Sequence, residues 1–476
     1  MRRSGALVFF LLVSVGVYHS FKDLPEGLSY QGQPRAVKNV EFLADLTYVD
    51  SHTDSTERHF QQSIFDEVFA MIGSAERFIL VDMFLFNDFQ GAVPERHRAL
   101  SVELPRQLIA QKQKHPQMQV LLITDPINRL YGGLEPGHFA ELQAAGISVT
   151  YTRLTALRDS NLFYSPIWRT FIGYWGNDTG SLLPNPLGQG RVSVRTYLSL
   201  LNFKANHRKV VIADQGNDYV GLVTSANPHD GSSAHSNVAL RFSGPAVADL
   251  LESEIAVLKM SGGPEPGIEL FPQDMNGDLN RESTLEIITE SAIKRALLDS
   301  INATEAGDRL DMAVFYLSHR GIMQALKDAY RRGVHMRVLL DPSKDAFGRT
   351  KNGIPNRQTA HELQSMGVPV RWCDTHGEQC HSKFLLVQFA SGDAHLILGS
   401  ANFTRRNLDD LNLETSVRYV APIRSDVIQN VDAWFEMRWS NPDGRQFSVD
   451  YETYADESWW RRIAYRLMEA TGVSTF

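Results

Sequence analysis

Cysteine is nearly absent. Cys373 and Cys380 are the only two in 476 residues, so no disulfide framework organises the chain and one local bridge is the most it can form. In an oxidising compartment that bridge would rigidify the loop before His381; the spacing equally admits two free thiols. Cys373, His376, Cys380 and His381 also resemble a zinc cluster, a reading disfavoured because it removes His381 from the pattern described next. Excess positive charge is missing too: 47 Lys and Arg against 55 Asp and Glu leave a net charge of −8. Proteins that grip nucleic acid by its phosphates carry a basic surface, so composition argues against such a partner, while leaving room for a local basic groove. Long apolar runs are scarce. The uncharged stretch 4–21, behind Arg2 and Arg3, is the one long enough to cross a bilayer. No clean Ala-x-Ala site follows it. It reads as an uncleaved signal anchor, with a cleaved signal peptide or a buried helix as alternatives. The paired arginines orient the N-terminus to the cytoplasm and the body outward.

What is present is a duplication. His207-Arg208-Lys209-Val210-Val211-Ile212-Ala213-Asp214 and His381-Ser382-Lys383-Phe384-Leu385-Leu386-Val387-Gln388 each place His-x-Lys ahead of an apolar run, which reads as a buried strand. Each is followed by Ser-x-Asn: Ser225 and Asn227, then Ser400 and Asn402. Residues i and i+2 of a strand share a face. Each half thus offers an imidazole, an ammonium, a hydroxyl and a carboxamide together. That set suits a phosphodiester. Lys209, Lys383, Asn227 and Asn402 can hold non-bridging oxygens where charge builds, and Ser225 and Ser400 are expected as further substrate contacts. The imidazoles of His207 and His381 can divide the work of nucleophile and proton donor. Asp214 lies on the opposite strand face from His207 and is expected to bond loop backbone; Gln388 holds the equivalent place.

These strings resemble the His-x-Lys-(x4)-Asp motif of the phospholipase D superfamily and its Gly-Ser-x-Asn segment. Gly399-Ser400-Ala401-Asn402 matches the segment fully, whereas Thr224-Ser225-Ala226-Asn227 has Thr for Gly. The similarity extends over nearly everything after residue 40. It implies metal-independent cleavage or transfer at a phosphodiester through a phosphohistidine, without cofactor or metal. Gln388 in place of Asp and Asn237 in place of a glutamate depart from the pattern.

The repeat runs through the chain. Arg77–Phe84 corresponds to Arg309–Tyr316, Val120–Pro126 to Val338–Pro342, and Glu141–Val149 to Glu362–Val370. Alternating strands and helices in this order predict an α/β sandwich per half, the halves related by a pseudo-twofold axis with the site at their interface. The offset between halves is 216 at Asp125/Asp341 but 174 at His207/His381, so the first half carries 42 extra residues. They fall within about 154–204, are rich in aromatics, and read either as a packed subdomain or as a wall for acyl chains. The expected layout is a signal segment at 1–21, a first half at 40–261, a linker at 262–285 around Gly262–Gly267, a second half at 286–450 and an amphipathic helix at 451–476. That last helix either packs on its own domain or lies at a membrane interface.

Glu414 and Asn237 stand at comparable places after Asn402 and Asn227. If each bonds the histidine of its own half, Glu414 raises the pKa of His381 and leaves His207 neutral. His207 then attacks phosphorus and His381 serves as acid. An anchored, non-basic protein with aromatic insertions implies a phospholipid substrate and a cardiolipin synthase-like hydrolase or phosphatidyltransferase. One apolar N-terminal segment, where those synthases usually have two, departs from their layout. The alternatives are an envelope nuclease or other phosphodiesterase, and an inactive lipid-binding scaffold. No oligomer is required, because duplication supplies both half-sites.

Overall fold

The computed structural model describes residues 2–52, 57–91, 93, 97–270 and 280–474. Among these, fifteen strands join in one sheet. The first half contributes β1 (Arg35–Ala44), β2 (Phe78–Met83), β3 (Gln119–Thr124), β4 (Ser148–Tyr151), β5 (Lys209–Gln215), β6 (Asp218–Thr224) and β7 (Val238–Ser243). The second contributes β8 (Asn280–Thr289), β9 (Arg309–Val314), β10 (His335–Leu340), β11 (Val370–Cys373), β12 (Lys383–Gln388), β13 (Asp393–Gly399), β14 (Thr415–Pro422) and β15 (Ser448–Asp450). Outward from the centre the first half runs β1-β7-β6-β5-β2-β3-β4 and the second β8-β14-β13-β12-β9-β10-β11, with β15 added at its edge. The halves meet through antiparallel pairing of β1 and β8, Arg35 opposite Leu285. One strand order repeated back to back is the pseudo-twofold relationship.

In each half β2–β4 and β9–β11 run parallel, while β5 and β12 lie antiparallel beside β2 and β9, Val81 opposite Val211 and Met312 opposite Leu385. Val210–Ala213 and Phe384–Val387 are buried because helices cover the sheet, which is why both runs are continuously apolar. The helix Ile64–Ser74 buries Ile64, Phe65, Val68, Met71 and Ile72, one helical face. Its counterpart Ser291–Asn302 buries Ala292, Ile293, Ala296, Leu297 and Ile301. Each such large aliphatic or aromatic side chain contributes about 1.5–3 kcal/mol on burial.

The insertion forms short helical turns at Ser165–Ile167, Trp168–Ile172 and Gly173–Trp175, a two-stranded ribbon and the helix Val194–Leu200. Against its first two turns packs the helix Arg2–Phe21, whose Ser4–Phe21 stretch is long and apolar enough to cross a membrane. The C-terminal helix expected over 451–476 occupies Trp459–Thr471; Tyr451–Tyr454 is instead a turn after β15, fixed by the Trp372 indole donating to the Tyr451 carbonyl at 2.7 Å. The helix buries Tyr465 and Glu469 and leaves Trp459, Trp460, Ile463 and Leu467 exposed. Cys373 and Cys380 are joined in a disulfide, so neither thiolate is free for a zinc ion. Of the linker, residues 271–279 lie outside the described residues.

Candidate active site

The strands begin at the lysines, Lys209 of β5 and Lys383 of β12, so each histidine sits in the lead-in two residues earlier. The lead-ins pair across the halves. Asn206 bridges Leu413 and the His207 N–H donates to the Leu413 carbonyl at 2.8 Å; Ser236 bridges Cys380 and the His381 N–H donates to the Ser236 carbonyl at 2.8 Å. Leu413 immediately precedes Glu414, and Ser236 immediately precedes Asn237. Each half thereby presents the residue ahead of β14 or β7 to the histidine of the other half.

This crossing overturns the expectation that Glu414 serves His381. Glu414 lies at Nδ1 of His207, 2.9 Å from Oε1 and 3.0 Å from Oε2, and Asn237 Oδ1 lies 3.1 Å from Nδ1 of His381. Both oxygens are acceptors here, since Ser225 and Ser400 also donate to Asn237 Oδ1 and Glu414. Each Nδ1 therefore carries the proton, leaving Nε2 as the free nitrogen of the neutral ring. Burial pushes His207 down to about 4 despite Glu414, and pushes His381 well below its usual value with the Lys383 charge adding. Burial opposes ionisation of Glu414, but the neighbouring His207 and Lys209 prevail and hold its carboxyl below the ordinary range.

Ser225 and Ser400 do not reach the site surface. Ser225 Oγ donates to Asn237 Oδ1 at 3.1 Å and accepts the Val238 N–H at 3.0 Å; Ser400 Oγ donates to Glu414 and accepts the Thr415 N–H at 3.0 Å. Both are wholly buried. The expected substrate contacts are instead props that orient the histidine partners. Gly399 ahead of Ser400 is needed for space, because a Cβ there would collide with the Thr415 carbonyl oxygen. Lys209 Nζ and Lys383 Nζ donate to the carbonyls of their own histidines at 2.6 and 2.8 Å. They lie 5.1 and 5.2 Å from the ring centres of Phe84 and Phe315. Burial pushes Lys209 down to about 7 against the pull of Glu414; it also pushes Lys383 well below the ordinary lysine range, with Lys209 as a like-charged neighbour.

His207, His381, Asn227 and Asn402 line one cavity of 370 Å³. Its wall also carries Lys204, Arg349, Lys351 and Arg406 and, among the described residues, no Asp or Glu. A chain with net charge −8 thus keeps a cationic recess. The remainder is largely apolar, with Phe84 and Phe315 tilted against the two imidazoles at 4.7 and 5.0 Å between ring centres. Asp214 lies away from this cavity and accepts the backbone N–H groups of Glu76, Arg77 and Phe78 at 2.8–3.2 Å.

Several residues of the site went unmarked in the sequence. Asp125 and Asp341 accept the N–H of Asn206 at 2.7 Å and of Cys380 at 2.9 Å, fixing the residue ahead of each histidine; their duplication as Asp-Pro was the available signal. Phe84 and Phe315 follow the two strands at equivalent places, one residue out of the register read from the sequence, which set Phe84 against Tyr316. Arg208 is wholly buried between Glu254 at 3.1 Å and Glu290 at 2.8 Å, and Glu290 also accepts the Glu414 N–H at 3.0 Å. Nothing signalled this network, since the second copy has Ser382 in place of Arg208.

Residues 297–439 match the family model described as cardiolipin synthase, PLD-like domain. No curated protein matches the chain. Among solved structures, phosphatidylserine synthase from Haemophilus influenzae Rd KW20 is 10% identical over 97% of each chain, with a TM-score of 0.52. Polyphosphate kinase from Porphyromonas gingivalis is 10% identical over 92% of this chain, with a TM-score of 0.46, and this chain spans 54% of its length. Nuc, a phospholipase D family member from Salmonella typhimurium, is 19% identical over 36% of this chain and 99% of its own, with a TM-score of 0.28. Residues 297–439 are thus similar to the PLD-like domain of that family model, and the repeated strand order extends the same architecture to the first half.

Proposed function

We propose that the protein hydrolyses or transfers a phosphodiester of a phospholipid through a phosphohistidine on His207, as a cardiolipin synthase-like enzyme. One observation carries this reading: both imidazoles, with unlike partners, line a single cationic and aromatic cavity. Arg349, Lys351 and Arg406 favour an anion, Lys204 being already paired with Asp159, and the apolar and aromatic wall favours an amphiphile.

In this mechanism Nε2 of His207 attacks phosphorus as its Nδ1–H stays on Glu414. The bond from phosphorus to the leaving alcohol oxygen breaks, and protonated His381 gives that oxygen its proton. The phosphorylated His207 ring becomes cationic, which the Glu414 carboxylate stabilises. Water or an acceptor alcohol then attacks phosphorus, His381 takes its proton back, and the N–P bond breaks. A neutral partner, Asn237, suits a group that must release and regain a proton within one cycle. Asn227 and Asn402, which line the cavity, hold the non-bridging oxygens, and the ammonium groups of Lys209 and Lys383 stabilise them from behind the histidines, the phosphate charge favouring the protonated forms that burial disfavours. We take residues 40–261 and 286–450 as the two catalytic halves. The helix Arg2–Phe21 acts as a signal anchor holding the body on the outer face of the membrane.

The test is incubation of purified protein with phosphatidylglycerol, with and without added glycerol, and identification of products by mass spectrometry. Cardiolipin with free glycerol supports transfer, and phosphatidic acid supports hydrolysis. Turnover of nucleotide diesters alone, or of nothing, overturns the phospholipid reading.

A further inference from the structure

A second chamber of 370 Å³ lies beside the catalytic cavity, between the insertion (Leu154, Trp168, Ile172, Ser199) and the edge of the first half (Tyr131, Tyr151). Tyr131 and Lys204 belong to the walls of both spaces. Leu130 and Tyr131 hold left-handed backbone, φ 46° and 58°, a strained placement for non-glycine residues that sites, more than plain loops, retain. The chamber wall is mostly apolar and aromatic. Its charged members are Arg129, Arg153, Arg195 and Lys204; Arg129 pairs with Glu135 and Lys204 with Asp159 behind the wall, which leaves Arg153 and Arg195 to face an anion.

Its position relative to the apolar N-terminal helix is specific. Ser165–Ile167 and Trp168–Ile172 pack against the helix Arg2–Phe21, and the latter turn lines the chamber. Lys22, just past that helix, donates to the carbonyl of Thr155, another wall residue, at 3.4 Å. Phe171 of the second turn and Tyr174 and Trp175 of the next, Gly173–Trp175, are 50%, 83% and 73% exposed, an aromatic edge of the kind that sits at a membrane–water boundary. The chamber also exists on one side of the pseudo-twofold axis alone, because the 42-residue insertion that walls it has no counterpart in the second half. The two approaches to the histidines are therefore chemically unlike.

We propose that this chamber receives an acyl chain of an anionic phospholipid entering along the Arg2–Phe21 helix, with the lipid phosphate reaching the histidines past Tyr131 and Lys204. The proposal rests on the phospholipid reading above and adds where the tail goes. Apolar walls exclude water around the chain, the arginines attract the headgroup charge, and the second half leaves its side of the cleft to the alcohol or water.

The experiment uses the full chain with His207→Ala, which prevents turnover, in vesicles containing phosphatidylglycerol with a diazirine on one acyl chain. After irradiation, labelled peptides are mapped by mass spectrometry. Labels are expected within 129–155 and 165–202. Ser199→Trp, placing an indole in the chamber, is expected to reduce them about tenfold, the order for losing a few buried methylenes. Thr155→Trp, from the opposite wall, should act alike, with circular dichroism showing both variants folded. Labels confined to 2–21 and 459–471, or undiminished in both tryptophan variants, overturn the proposal. The wild-type chain with the same lipid separates the two readings. Turnover without chamber labelling defeats only the chamber; chamber labelling without turnover defeats the catalytic reading and leaves a lipid-binding site.

Discussion

Glu414, ahead of β14 in the second half, accepts the Nδ1–H of His207 in the first at 2.9 Å, while Asn237, ahead of β7, takes the same place at His381 at 3.1 Å. The pseudo-twofold site is thus symmetric in backbone and asymmetric in charge. A carboxylate stabilises a ring that becomes cationic on phosphorylation; an amide leaves a ring free to cycle its proton. Glu414→Gln keeps the hydrogen-bonding shape and removes the charge. Its kcat should fall on the order of 10²-fold, as for loss of one preorganised electrostatic partner, with thermal stability little changed. Unaltered kcat in a folded Glu414→Gln variant sinks the assignment.

Phosphoryl trapping distinguishes the two histidines. On the proposed roles, His381→Asn removes the acid and base but leaves the nucleophile, so rapid quenching with a substrate bearing an activated leaving group should catch an adduct on residue 207. His207→Asn should give none. Each variant should lose activity toward the natural diester by about 10³-fold or more, and the double variant should lose little beyond that, since groups acting as a unit are non-additive. An adduct found on His381 reverses the roles.

The pH dependence follows from burial. In the proposed mechanism His207 must be neutral to attack, and burial holds it down to about 4; His381 must be protonated to donate, and burial holds it well below 6.5. Rising pH therefore removes the acid from the free enzyme early, and Lys209, pushed down to about 7, follows. The kcat/KM profile should decline from the acid side of neutrality upward. The kcat profile should decline at higher pH, because bound phosphate favours protonated His381. Asn237→Asp places a carboxylate at His381 and should shift the descending kcat/KM limb to higher pH by about one unit or more. An unshifted limb shows that another group controls it.

The duplicated strings, the strand–helix order and the insertion are legible in sequence because they are local and repeated. His-x-Lys and Ser-x-Asn recur at similar spacing, and Asp125-Pro126 and Asp341-Pro342 mark equivalent strand ends. What spacing cannot reveal is which half a residue serves. Glu414 and His207 are brought together by the Leu413 and Asn206 bridge, a long-range pairing decided by how the two halves of the sheet join. The serines were misjudged for a related reason: alternation places a side chain on a face but does not say whether substrate or another side chain occupies it. Arg208, Glu254 and Glu290 form a buried cluster without a repeat, and only packing discloses it.

Asp214 and Gln388 hold equivalent strand positions with unlike consequences. Asp214 gathers the N–H groups of the turn before β2. In the second half that duty lies with Asp308, whose carboxylate accepts the N–H groups of Glu305 at 2.7 Å and Ala390 at 2.8 Å, while the amide nitrogen of Gln388 is buried without a hydrogen bond. The carboxylate has moved from the strand to the loop it secures. Asp214→Ala and Asp308→Ala should each destabilise the fold by about 2–4 kcal/mol, since buried backbone donors lose a charged acceptor. Gln388→Ala should cost under about 1 kcal/mol. Urea midpoints compared at constant m-value measure this, and specific activity of the folded fraction should persist in all three. Loss of kcat in an Asp214→Ala protein of normal stability would instead place that carboxylate in the chemistry.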